Sequence, residues 1–167
     1  MKKGFTILEV IVAIFVITAG IIGVMALVAQ TIGSVTVSSQ KLIAAYLAQE
    51  GIEIVRNIRD TNWVEGSANW DDDLEPGDWE GDYDDQSLIL CSSIPFNCPS
   101  RGLPLQPLRV DGNFYNYTSG TTTPFFRRIT IFDRVANQEF KVNVLVSWQE
   151  KGKTYEIEAQ ETLYNWR

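Results

Sequence analysis

Two patterns of apolar and polar positions organise this chain, an unbroken apolar stretch near its start and strict alternation near its end. No charge occurs between Val10 and Gln40, and Val10 to Ala29 is a 20-residue apolar segment. As a helix, such a segment matches the hydrocarbon thickness of a bilayer. From Lys41 the apolar positions fall at spacings of three and four, as Ala44, Leu47, Ala48, Gly51, Ile54, Val55 and Ile58, with Glu50, Glu53, Asn57 and Asp60 opposite. That period predicts an amphipathic helix with one buried stripe. The two stretches join without a break, so a single helix is expected from Phe5 to about Arg59, roughly 80 Å long.

The last 43 residues read as β structure. Phe125 to Asp133, Glu139 to Gln149 and Thr154 to Tyr164 are strand-length runs joined by hairpin-length linkers. In the second run Phe140, Val142, Val144, Val146 and Trp148 alternate with Lys141, Asn143, Leu145, Ser147 and Gln149, and in the third Tyr155, Ile157, Ala159, Glu161 and Leu163 take one face. Alternation of this kind buries one side of a strand. A three-stranded antiparallel meander is expected, its apolar face laid on the amphipathic half of the helix, which makes the fold class α+β. Between helix and meander, residues 63–124 read as an irregular region. Turn signals recur at Glu65-Gly66, Pro76-Gly77, Glu80-Gly81, Asp111-Gly112 and Ser119-Gly120, with short strands expected at Leu88–Leu90 and Leu105–Val110.

Composition narrows the function classes. The net charge is −7, from 21 acids against 14 bases, which gives nucleic acid no electrostatic purchase beyond a small local exception at Arg127-Arg128. Histidine is absent, which removes the commonest general base, the commonest zinc ligand and every Ser-His or Cys-His nucleophile. No enzyme is expected. Cys91 and Cys98 are seven apart in a proline-bearing segment and lack the CxxC spacing of a redox pair, so they read as a short disulfide staple in an oxidising compartment.

The first nine residues, Met1-Lys2-Lys3-Gly4-Phe5-Thr6-Ile7-Leu8-Glu9, change the picture most. A secretory signal peptide would place its small-residue cleavage site after the apolar run, where none stands. A plain anchor accounts for Lys2 and Lys3 as cytoplasmic flanks but not for Glu9 or the Gly4-Phe5 junction. The basic leader, glycine, phenylalanine, threonine and acid resemble the processing signal of the type IV pilin superfamily, which includes the type II secretion pseudopilins. The segment Ala44 to Glu53, with the Val-Arg-Asn-Ile-Arg-Asp that follows, resembles minor pilins and I-type pseudopilins.

That resemblance implies a lollipop-shaped fold, cleavage between Gly4 and Phe5 by a prepilin peptidase, and N-methylation of Phe5. It divides the chain into a leader (1–4), a transmembrane and polymerisation helix (5–30), the amphipathic half of that helix (31–62), the irregular part of the head (63–124) and the β-meander (125–167). The implied function is a structural subunit of a pilus-like filament or secretion pseudopilus. Its partners would be other pilin subunits, the peptidase, an inner-membrane assembly platform and, before assembly, membrane lipid. It would be a single-pass membrane protein with an extracytoplasmic head, joining a cell-surface filament after assembly. The alternative is a membrane-anchored binding protein or adhesin that does not polymerise.

Glu9 is the assembly residue under this reading, because a carboxylate inside an apolar boundary is costly without a partner. The family places the amine of a neighbouring subunit's first residue beside it. Thr6 and Glu9 also have capping-box spacing. Among nine acids in the fifteen residues from Asp71 to Asp85, Asp78, Glu80, Asp82 and Asp84 are calcium candidates. Their order does not fit an EF-hand, and a solvated loop with no cofactor is the preferred reading. Trp63, Trp70, Trp79 and Tyr83 suit either a sugar-stacking surface or, preferably, the core of the head. Arg56 and Arg59 are expected to pair with Glu53 and Asp60.

Overall fold

The computed structural model describes residue 4 and residues 6–67, 69–85, 87–90 and 106–166. Two compact units divide it, Met1–Gln40 and Lys41–Arg167. One helix, α1 (Ile7–Glu65), supplies the described helical residues of the first unit and the only helix of the second among the described residues. It runs six residues past Arg59, because Trp63 continues the buried stripe. Its end is closed by Ser67 N–H donating to the Asn62 carbonyl at 3.0 Å.

In the second unit the strands are β1 (Gly77–Glu80), β2 (Ile89–Leu90), β3 (Arg109–Asp111), β4 (Phe114–Asn116), β5 (Thr121–Thr122), β6 (Phe125–Val135), β7 (Glu139–Glu150) and β8 (Lys153–Tyr164). The expected meander is β6-β7-β8, antiparallel throughout, with Val144 opposite Ile129 on one side and Ala159 on the other. Beyond expectation, the sheet has five strands in the order β2-β1-β6-β7-β8, and β4-β3-β5 form a second small sheet. β1 comes from the acidic tract that reads as a solvated loop. Its residues Gly77, Asp78 and Trp79 pair with Ile131, Thr130 and Ile129 at the open edge of β6.

The chain is thus an α+β protein whose helix packs on an antiparallel sheet within the second unit. The core is the stripe the helical period selects, Ala44, Leu47, Ala48, Val55 and Ile58, set against Ile129, Ile131, Phe140, Val142, Val144, Val146 and Trp148. Helix and sheet approach closely at Gly51. A Cβ built there would lie 2.7 Å from Val144 Cγ1 and 3.3 Å from Arg127 Cδ, so only hydrogen fits.

Candidate functional site

The first unit presents an apolar helix that is exposed among the described residues. Every large apolar side chain from Ile7 to Val35 is exposed, with Leu8 at 72% and Phe15 at 71%. An 18-residue window of the helix has mean hydropathy 2.9 and no buried residue. Such a surface is compatible with a single-pass membrane anchor, since lipid would cover what the protein does not. The polar side chains along it bond to their own backbone: the hydroxyls of Thr18, Thr31 and Thr36 donate to the carbonyls of Ile14, Leu27 and Ile32 at 2.9, 2.8 and 3.1 Å.

At the helix start Thr6 Oγ1 accepts from Glu9 N–H at 3.3 Å, the first half of the capping box. Glu9 is exposed in the first turn. It is also the single acid in the first 49 residues. Gly4 is exposed, whereas Phe5 lies outside the described residues, as do Cys91 and Cys98.

In the second unit the most constrained chemistry centres on Arg127. It follows the inward alternation of Phe125, Ile129 and Ile131, which carries a full charge into the core. A buried guanidinium is tolerable only when paired and hydrogen-bonded. Arg127 donates to Glu50 Oε1 at 2.8 Å, to the Gly81 carbonyl at 2.7 Å and to the Leu47 carbonyl at 3.4 Å. The Tyr117 hydroxyl donates to the Arg127 carbonyl at 3.2 Å. The result ties together the helix, the turn after β1 and the segment after β4. Arg127 is therefore a core residue and not part of a basic patch, and the phosphate exception suggested by Arg127-Arg128 is withdrawn.

Set against protein-family models, curated proteins and solved structures, the chain matches none.

The four acids considered for calcium are distributed over different surroundings. Asp78 accepts from Thr130 Oγ1 at 2.7 Å. Glu80 is buried, and desolvation raises its carboxyl above the usual range against a backbone hydrogen bond from Gln106. Desolvation also raises Asp82, which accepts from Tyr117 N–H at 3.4 Å. Asp84 is exposed. Among the described residues no three acids or cysteines are arranged to hold a metal ion.

The acidic tract is in part a structural element. Asp71 is buried, with Arg134 Nε donating to it at 2.6 Å, and its backbone continues into β1. The aromatics divide similarly. Trp63 and Trp70 are core residues, with Trp70 stacked on Phe140 at 5.2 Å, while Tyr83 stays exposed and stacks on Phe114 at 4.6 Å. Arg56 pairs with Glu53 as expected, and also with Glu161 of β8 at 2.6 Å; Arg59 pairs with Asp60 at 2.8 Å. Sequence reasoning passed over the Arg127 cluster, although the alternation Phe125-x-Arg127-x-Ile129 already places that arginine among inward positions.

Proposed function

We propose that this chain is a structural subunit, a minor pilin or pseudopilin, of a type IV pilus-like filament or a type II secretion pseudopilus. The observation that carries the reading is one carboxylate, Glu9, at the mouth of a helix whose large apolar side chains from Ile7 to Val35 are all exposed. A lipid anchor alone gains from that charge no more than a cap on the first helical turn. A bundle of such helices gains more, because the carboxylate can neutralise the amine at the start of a neighbouring helix where the low dielectric strengthens the attraction. A prepilin peptidase would cut between Gly4 and Phe5 and methylate Phe5, creating that amine, and an assembly platform would draw the helix from lipid into the filament. The subunit works by assembly and carries out no catalysis.

Mass spectrometry of the protein from its native host tests this directly. A mature chain starting at N-methylated Phe5, and an uncut precursor for Gly4→Leu, are expected. An intact Met1 start, or a cut beyond Ala29, would end the proposal. Fractionation of sheared filaments decides against the non-polymerising adhesin, which would stay with the membrane.

A further inference from the structure

The five-stranded sheet ends on β8, which has a strand beside it on one side only, β7. Their pairing runs from Glu139 opposite Tyr164 to Glu150 opposite Lys153 without a bulge, so bonded and unbonded residues alternate along its whole length. Asn165 N–H donates to the carbonyl of Gln138, directly across from it, at 2.7 Å. Every second residue back along β8, from Leu163 to Tyr155, therefore turns its N–H and C=O to β7. Those of Thr154, Glu156, Glu158 and Gln160 turn to the open edge, where they have no partner among the described residues. Such edges are ordinarily guarded by a proline, a bulge, a short strand or an inward charge. Glu161, on the inner face and paired with Arg56, guards the far end. From Thr154 to Gln160 no guard of these kinds is present.

The side chains of this stretch define what fits beside it. On the inner face Tyr155, Ile157 and Ala159 are half-buried against the core, so an added strand needs apolar residues there. On the outer face Glu156 and Glu158 are exposed, with Ser147 and Leu145 opposite them on β7 and Asn143 and Gln149 to either side. Glu158 takes a neutral hydrogen bond from Asn143, and neither acid has an ion pair among the described residues. Arg128, beyond Leu145, is already paired with Asp78 at 3.9 Å. The outer row is thus negative and uncompensated. A second copy's β8 would bring the same two acids and no outer-face cation, so self-pairing only adds like charge. We propose that β8 takes up, as an added antiparallel strand, an extended segment of another protein with lysine or arginine along its outer face and apolar residues between. Backbone bonds supply the affinity of such an added strand, and alternate side chains its specificity. The docking needs only the head, whether or not the chain joins a filament.

The test uses the full chain in phosphatidylcholine nanodiscs, with amide hydrogen exchange resolved residue by residue. Alone, Tyr155, Ile157 and Ala159 should exchange slowly and Glu156, Glu158 and Gln160 fast. A capped peptide of alternating valine and lysine should slow the second set. Its valine–glutamate counterpart should not, and neither should the lysine peptide N-methylated at its lysine amides, which keeps the charge but cannot donate to β8. Glu156→Gln with Glu158→Gln should raise the apparent Kd for the lysine peptide roughly five-fold, the scale of two exposed cross-strand pairs. Glu156→Lys with Glu158→Lys should transfer the preference to the glutamate peptide, which a merely misfolded edge would not do. Edge amides already slow in every preparation would mean that the chain covers its own edge, and edge amides slow only in discs holding several copies would make a second copy the occupant. Either result overturns the proposal, as does equal protection by the glutamate or N-methylated peptide, or none by the lysine peptide.

Discussion

Replacing Gly51 with alanine should destabilise the head, although the same change ordinarily helps a helix. Alanine is better than glycine in a helix interior by roughly 1 kcal/mol. Against that gain, the new methyl would stand 2.7 Å from Val144 Cγ1 and 3.1 Å from its Cγ2, so helix and sheet would have to part by about an ångström. Val144 is β-branched, which restricts its χ1, and it is fully buried. Overpacking of this kind costs about 1–3 kcal/mol; a contact as short as 2.7 Å belongs to the upper half of that range, about 2–3 kcal/mol, which leaves a net loss of about 1–2 kcal/mol. In a unit of this size that is a fall of roughly 4–8 °C in Tm. Thermal and urea unfolding of the full chain, followed by near-ultraviolet signals from the head tryptophans, would measure it. Val144→Ala removes both offending methyls, so the double substitution should be more stable than the sum of the single changes, a coupling of about 1 kcal/mol. Gly20→Ala and Gly23→Ala, with nothing within 4 Å, are the controls and should not destabilise. A neutral or stabilising Gly51→Ala, or strict additivity with Val144→Ala, would show that the helix does not lie this close to β7.

Arg127→Met should lower head stability by roughly 3–5 kcal/mol, because it strands Glu50 and the Gly81 carbonyl; an unchanged urea midpoint would mean the cluster contributes nothing. Desolvation raises Glu80 and Asp82, so the folded head holds protons that the unfolded chain has released. Stability should therefore rise as pH falls from neutral towards the ordinary carboxylate range, and this slope should shrink in Glu80→Gln. A slope unchanged by that substitution would refute the assignment. At lower pH the sign reverses at Asp72, held below the usual range by hydrogen bonds from the Asn69 side chain and backbone, whose contribution is lost as pH falls through its folded value. Glu9→Ala should leave membrane insertion intact and abolish incorporation into filaments, measured by immunoblotting sheared and membrane fractions; normal incorporation would remove Glu9 from the assembly role.

By itself the sequence determined the helix and the β6-β7-β8 meander. Their signals are local: a 3.6-residue period selects Ala44, Leu47, Ala48, Gly51 and Val55, and a two-residue period selects Phe140 to Trp148, wherever the rest of the chain goes. It also determined that the first unit has an uncovered apolar helix with one acid, because no partner pattern accompanies Val10 to Ala29. What the tertiary structure alone decided is the fate of groups whose partners lie far along the chain. Asp71 to Glu80 reads as a solvated run because carboxylates normally seek water. Arg134 reaches Asp71 from 63 residues away, the Gln106 backbone reaches Glu80, and the free edge of β6 takes β1 as its neighbour. Arg127 is buried for the same reason, since Glu50 lies 77 residues before it and Gly81 46. Periodicity tells which side of an element turns inward; whether a charge survives there depends on donors and acceptors that only the folded chain brings within reach.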